Sequence, residues 1–319
     1  MRVLRWGRSA YETDASLALE RSGVERIGGE YSVHTDRTMV PELGEVDLLV
    51  VTSGVRVGRD EVSRLPSGAA VVTTTSGYDH IDVDACVTRG VAVHRMPLAR
   101  RDAVVEHALA EMIVHQRRLG AMHAAARAGH WARGELPALA PRMLGESRVA
   151  VIGLGVIGSR MAEVLGHLGA EVVGVDPRGG PATVSVASLD QALAEAHVVT
   201  LHCALTASSR GMLCDQRLRR LRPGCVVVNT ARGAVLDVEA AVEGVRQGRL
   251  GGLSVDVFPE EPWPGLASAA AVEGVRLTPH GSGYTVGLGR RVAAGVVAAA
   301  EALVRDEPLP HGVSASRSR

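Results

Sequence analysis

The chain has 319 residues, 46% of them apolar and 3% aromatic, with 35 basic and 35 acidic side chains in formal balance. The length favours two domains over one core, and zero net charge gives no reason to expect nucleic acid or an anionic membrane as partner. Every basic residue is Arg, so Schiff-base chemistry and a P-loop lysine are excluded, and Arg is the permanent cation left to anchor an anion.

The opening segment, MRVLRWGRSA, lacks the apolar core of a signal peptide, and a cytoplasmic protein is expected. Four scattered cysteines (Cys86, Cys203, Cys214, Cys225) with no C-x-x-C read as reduced thiols rather than disulfides or metal ligands. Short apolar runs predict strands at Arg2–Arg5, Asp47–Thr52, Ala69–Thr74 and Val91–Val93, with turns and short helices between them. A long helix is predicted over Arg101–Arg118, with Val104, Val105, Leu109, Ile113 and Val114 on one broad face and Asp102 able to cap its start. Residues 129–145 read as a loop in which Trp131 is expected to pack at a hinge, the alternative being an oligomer contact.

The most informative stretch follows. Residues 148–176 read RVAVIGLGVIGSRMAEVLGHLGAEVVGVD. An apolar strand, Val149–Ile152, runs into Gly153, Gly155 and Gly158 at G-x-G-x-x-G spacing, then a helix, then a second apolar strand ending in Asp176. Gly153 permits the tight turn, Gly155 clears room for backbone to approach a pyrophosphate, and Gly158 lets helix and strand pack closely. The unpaired N–H groups opening the helix face the phosphate charge. Asp176 is placed to accept the ribose hydroxyl protons. Further strands are predicted at Val198–His202, Cys225–Asn229, Gly252–Asp256 and Val275–Leu277, and a final helix over about Val286–Arg305. The longest apolar run, Val292–Ala300, is too short to span a bilayer. The tail LPHGVSASRSR is expected to be disordered. Arg217, Arg219, Arg220 and Arg222 read as a solvated helix face. His107, His115, His123 and His130 show no paired ligand spacing; they read as structural, and no metal is expected.

Three strand ends carry chemistry. Arg232 lies in NTARG just past Asn229, Glu261 follows Asp256 in DVFPEEP, and His280 lies in TPHGSG. Ligands of an open α/β sheet bind at the carboxyl ends of its strands. A planar guanidinium suits a carboxylate, an imidazole moves a proton, and a carboxylate steadies the imidazole.

The chain resembles the D-isomer-specific 2-hydroxyacid dehydrogenase family, through TTTSGYDHID (73–82), VVEHALAEM (104–112), GLGVIG, LHCALT (201–206), NTARG, DVFPEEP and TPHGSG in order. The resemblance implies two α/β lobes, Rossmann- and flavodoxin-like with parallel sheets, and an active site in the interdomain cleft. The lobes would be a substrate domain at 1–98, an NAD-binding Rossmann domain at 99–283, and a C-terminal helix and tail at 284–319 returning to the first. It implies hydride transfer between NAD(H) and a D-2-hydroxy or 2-oxo acid, with Arg232, Glu261 and His280 as catalytic residues and Glu261 favouring the imidazolium. Cofactor-lining positions would be Gly153, Gly155, Val156, Ile157, Gly158, Asp176, Cys203, Thr206, Thr230, Ala231, Asp256 (facing the nicotinamide carboxamide) and Gly283. Ser76 and Gly77 would help hold the substrate carboxylate. Relatives usually pair as dimers through the long helix and its neighbourhood, so a homodimer is expected.

The chain also departs from the family pattern. Val156 replaces a common Arg and removes a phosphate contact; Ala204 replaces Pro; His80 replaces Asn; and Gly281 widens the pocket. The individual loop 94–102 offers Arg100 and Arg101 as receivers of a second anionic group on the substrate, the alternative being two solvated arginines. Asp176 repels a 2′-phosphate and favours NAD over NADP, a preference that Arg178 softens. Two other functions stay open: an NAD(H)-sensing binding protein of the same fold, and a formate- or phosphite-type anion dehydrogenase.

Overall fold

The computed structural model of the protein describes residues 1–309 and 311–313. The chain divides into two compact units, Met1–Arg100 with the chain from Tyr284 onward, and Arg101–Gly283. In chain order the strands are β1 (Arg2–Trp6), β2 (Glu30–His34), β3 (Leu48–Val51), β4 (Ala70–Thr73), β5 (Ala92–Arg95), β6 (Arg148–Ile152), β7 (Glu171–Val175), β8 (Ser185–Val186), β9 (Val198–Leu201), β10 (Cys225–Asn229), β11 (Leu250–Val255), β12 (Val275–Leu277) and β13 (Gly312–Val313).

The first unit is a six-stranded sheet in the order β13-β5-β4-β3-β1-β2. Its strands pair in parallel except β13, which runs antiparallel to β5. The central strands β3 (LLVV) and β4 (AVVT) are buried throughout, because helices and loops cover both faces of a parallel sheet. On one face the helix Asp14–Arg26 meets the helix Leu288–Val304, so tightly that a Cβ on Gly23 would stand 2.2 Å from Val297 Cγ2. Leu288, Val292 and Val296 thereby join Val3, Val50 and Val72 in one core. The C-terminal helix thus completes the unit that the N-terminus begins. β2 escaped the sequence pattern because only Tyr31 and Val33 are apolar in a strand at the sheet edge. β13 corrects the expected disordered tail: Gly312 and Val313 pair with His94 and Val93, and Leu309 is buried. The rest of that tail, Pro310 and residues 314–319, lies outside the described residues.

The second unit is a seven-stranded parallel sheet, β12-β11-β10-β9-β6-β7-β8. The chain runs outward from β6 to β7 and β8, then returns to β9 on the other side, so the order reverses between β6 and β9. That reversal opens a crevice at the carboxyl edge, where dinucleotides bind in folds of this order. The long helix, Arg101–Gln116, spends its apolar face on its own unit: Val105, Ala108 and Met112 pack with Val149, Val226 and Val228. Valine, leucine and alanine fill both sides of the sheet, as the scarcity of aromatics requires.

The long helix stops two residues short of the predicted Arg118, which takes a left-handed φ of 55°. The helix Leu119–Arg127 follows, and the expected loop 129–145 holds short helical turns at Ala132–Glu135 and Leu136–Leu139. Trp131 is 85% exposed, which overturns the expectation that it packs. Among the described residues no helix is long and apolar enough to cross a membrane, and no group of three or more His, Cys, Asp or Glu side chains is arranged to hold a metal ion.

Candidate active site

The glycine loop has the geometry its sequence calls for. Gly153 ends β6 at φ +92°, and a Cβ there would lie 2.6 Å from backbone atoms of Cys203. A Cβ on Gly158 would lie 1.8 Å from the Gly153 carbonyl oxygen. A Cβ on Gly155 would meet nothing within 4 Å. Two glycines are therefore demanded by packing, and the third fronts open space at the start of the helix Val156–His167. Val156 is that helix's first residue, and Ile157 packs on the unit's core. Asp176 follows β7 with its side chain 6% exposed. One carboxylate oxygen accepts the Leu154 N–H at 2.9 Å and the other the Arg178 N–H at 2.9 Å. Burial works against its charge, but these hydrogen bonds and the Arg178 guanidinium prevail and hold the carboxyl below its ordinary range. A fixed acid therefore stands beside the glycine turn.

Around this loop, Cys203 follows β9 with its thiol pushed up to about 11 by burial, so it stays protonated. The Thr206 hydroxyl is engaged with its own turn, accepting the Ser209 N–H at 3.2 Å. Thr230 carries a buried Oγ1 with no partner, and Ala231 is buried beside it. The open face at Gly155, the acid at Asp176 and this orphaned hydroxyl fit a dinucleotide lying along the carboxyl edge.

The three chemical residues leave adjacent parallel strands at the same edge. β10, β11 and β12 are neighbours, with Asn229 opposite Val255 and Val255 opposite Leu277. Past β10, the Asn229 amide shapes the turn: its oxygen accepts the Ala231 N–H at 3.0 Å and its NH₂ donates to the Arg232 carbonyl at 3.1 Å. Arg232 is half-buried and donates from Nη1 to the Ala231 carbonyl at 2.8 Å. Its neighbour Gly233 is wedged on the next loop; a Cβ there would lie 1.9 Å from the Phe258 carbonyl carbon. The Arg232 loop is thereby locked against the segment that carries Glu261. Glu261 accepts the Phe258 N–H on one oxygen at 3.0 Å and meets His280 Nδ1 with the other at 2.7 Å. The His280 side chain is 51% exposed, leaving the imidazole open to a small molecule.

His280 sits at φ +52°, a conformation that a non-glycine residue holds only under constraint. Its N–H is held by the Asp256 carbonyl at 2.8 Å. The Asp256 carboxylate, 1% exposed, accepts the Thr278 hydroxyl at 2.6 Å and the N–H groups of Gly281 at 2.8 Å and Ser282 at 3.0 Å. Asp256, expected to face the nicotinamide, thus binds the His280 loop with both oxygens. Gly283 closes the second unit.

The remaining candidates belong to the first unit or the junction. In the loop after β4, Thr75 Oγ1 donates to the Gly77 carbonyl at 2.7 Å, and Ser76 holds a buried, unpartnered hydroxyl. Arg95, which the sequence reading passed over, donates to the Ser76 carbonyl at 3.3 Å. Arg100 donates to the Thr74 carbonyl, and burial lowers its pKa. Arg101 instead forms a two-point pair with Asp102, both bonds at 3.0 Å. Asn229 and Thr278 lie inside NTARG and TPHGSG and Arg95 in the loop 94–102, but only contacts in the folded chain reveal what the three side chains do.

Comparison with known proteins places this geometry. The family model for the NAD binding domain of D-isomer specific 2-hydroxyacid dehydrogenases matches residues 109–282, more than half of the chain. The chain belongs to that family. Within the D-isomer specific 2-hydroxyacid dehydrogenases it is similar to the D-3-phosphoglycerate dehydrogenase of Mycobacterium leprae (strain TN), 29% identical over 306 residues, which cover 93% of this chain and 57% of that protein. It is also similar to the glyoxylate reductase of Thermofilum pendens, 27% identical over 263 residues (80% of this chain, 77% of that protein). A solved structure, the TT0316 protein from Thermus thermophilus, superposes with a TM-score of 0.79 at 28% identity, covering 98% of this chain and all of that one. The chain spans about half the length of the phosphoglycerate dehydrogenases that it matches, between 39% and 57%. The family's NAD-binding domain coincides with the second unit, so NAD is the cofactor of the glycine loop.

Proposed function

We propose that the protein interconverts a 2-oxo acid and its D-2-hydroxy acid with NAD(H). The observation that carries this reading is the 2.7 Å pair between Glu261 and His280 Nδ1, on the loops after β11 and β12, beside the Arg232 loop. A carboxylate only accepts, so Nδ1 carries a proton toward Glu261, and we assign the proton exchange with substrate to Nε2. Bound nicotinamide supplies or takes up the hydride at the substrate's C2. Arg232 receives the substrate carboxylate and draws charge toward the C2 oxygen. In reduction, His280 Nε2–H gives that oxygen its proton; in oxidation, Nε2 takes it back. Proton transfer of this kind contributes about 10²–10⁴ in rate. The test is a panel of 2-oxo acids with NADH and NADPH, followed at the reduced-nicotinamide absorbance. Turnover with NADH well above that with NADPH is expected, because the Asp176 carboxylate repels a 2′-phosphate. Tight NADH binding without turnover across the panel contradicts the reading and favours the sensing one.

We also assign the finer properties here. Between the two arginines, Arg100 is the better receiver of a second anionic group. Its side-chain hydrogen bond goes to a neutral carbonyl, whereas Arg101 forms a two-point pair with Asp102. Arg100→Ala is then expected to raise KM for dianionic acids and spare pyruvate-like ones. A homodimer is supported by the helices Leu119–Arg127 and Leu136–Leu139, which hold no buried residue, and by the exposed Trp131. Light scattering on a sizing column reads the mass. Cytoplasmic residence is supported by four free cysteines among the described residues, and cell fractionation tests it.

A further inference from the structure

The helix Arg101–Gln116 turns a polar face to β11, β12 and the residue just past β12, and contacts them at three successive turns. His115 Nε2 lies 2.9 Å from Ser254 Oγ. Glu111 accepts the Ser254 hydroxyl at 2.7 Å and Arg276 Nη2–H at 3.1 Å. One turn nearer the start, His107 Nε2 lies 3.3 Å from Thr278 Oγ1. The direction of this last contact follows from chemistry. A carboxylate only accepts, so the Thr278 hydroxyl gives its proton to Asp256 at 2.6 Å. Toward His107, Thr278 then offers lone pairs alone, and His107 Nε2 must be the donor.

A directed chain results, from His107 Nε2–H to Thr278 Oγ1–H to the Asp256 carboxylate. That carboxylate also receives Gly281 and Ser282 N–H, and the Asp256 carbonyl receives His280 N–H. His280 is therefore bracketed by bonds to one buried acid, and the bond from His107 fixes the rotamer of the threonine on that acid.

We propose that His107 is a positioning residue for His280, acting through Thr278 and Asp256; the proposal rests on His280 being the proton carrier. Glu111 and His115 already bind the helix to β11 and β12, so a variant of His107 keeps the unit folded while freeing Thr278 to rotate. Geometry at a reacting group is exacting: a displacement of about 1 Å costs about 10²-fold, and a fraction of that is expected here.

The experiment compares His107→Phe, which removes the donor, with His107→Gln, whose side-chain N–H replaces Nε2–H. Side-chain ¹H–¹⁵N correlation spectra follow the His280 ring, assigned by its absence in His280→Asn. Steady-state rates with NADH and a turned-over 2-oxo acid give kcat and KM. His107→Phe is expected to shift the His280 resonances and lower kcat about tenfold, with KM and NADH affinity within twofold. His107→Gln restores both. Thr278→Val, which cuts the chain one link further on, moves the same resonances and covers the case in which His107→Phe fails to fold. Unchanged His280 resonances and kcat in folded His107→Phe overturn the proposal, as does a His107→Gln no better than His107→Phe. If the wild type turns over nothing and His107→Phe still moves the His280 ring, the positioning stands and the reaction assigned above falls.

Discussion

Gly233→Ala tests how the site is assembled. The added Cβ would stand 1.9 Å from the Phe258 carbonyl carbon, 2.1 Å from its oxygen and 2.3 Å from Pro259 N. Ordinary contact begins near 3.4 Å, so the Arg232 loop and the Phe258–Pro259 segment must separate by roughly 1.5 Å. Both neighbours are backbone and have no rotamer with which to retreat. The segment that moves holds Glu261 through its bond to Phe258 N–H, so Arg232 is displaced relative to the Glu261–His280 pair. A misplacement of about 1 Å at a reacting centre costs about 10²-fold, and kcat/KM should fall by about that factor. Overpacking of this kind costs about 1–3 kcal/mol of stability. Gly155 and Asp176 follow other strands while Thr230 and Ala231 begin the displaced loop, so NADH affinity, read by fluorescence titration, should fall by much less than the rate, about tenfold at most. A variant with near-wild-type kcat/KM would refute the interlocking of the two loops. So would a loss of NADH affinity as large as the loss of rate.

The contrast is Gly155→Ala, where no atom lies within 4 Å of the new methyl; thermal stability should be kept while the dissociation constant for NADH rises at least tenfold, and unchanged affinity would remove Gly155 from the phosphate path. Stability should also fall in mild acid. Burial pushes His115 down to about 4, with Arg276 and Arg118 adding to it and Glu111 opposing. The unfolded chain binds that proton below about pH 6.5 and the native protein does not until about pH 4. The contribution is therefore intact above pH 6.5 and lost between 6.5 and 4, at about 1.4 kcal/mol per pH unit. Urea midpoints across that window should show a shallower slope for His115→Gln than for wild type, and equal slopes contradict the assignment.

What the sequence made legible was set by local chemistry. The G-x-G-x-x-G turn must meet its steric demands within a few residues, and Gly153 and Gly158 prove to be positions where a side chain cannot fit. Arg232, Glu261 and His280 were readable because each follows an apolar run that forms a strand, and adjacent strands deliver them to one edge. The bonds that orient them were not readable. His107 and Thr278 are 171 residues apart, and a histidine on a helix face looks structural until its partner is known. The resemblance implies that Asp256 faces the nicotinamide; that its oxygens bind the loop following the next strand was not readable. β8 and β13 have two residues each, too few for any periodicity. Trp131 was read as hinge packing from its place in the loop, over an oligomer contact, and an apolar side chain left exposed in one chain has no signature in its own sequence.

The most direct test of the reaction is the stereochemistry and rate of a single substrate pair. A 2-oxo acid reduced with NADH by the wild type and by His280→Ala is followed by absorbance, and the product is resolved on a chiral column. The D-2-hydroxy acid is expected from the wild type. The rate of His280→Ala should be lower by about 10²–10⁴, with NADH affinity retained. An L-product, or a His280→Ala variant as fast as the wild type, would contradict proton transfer through this imidazole.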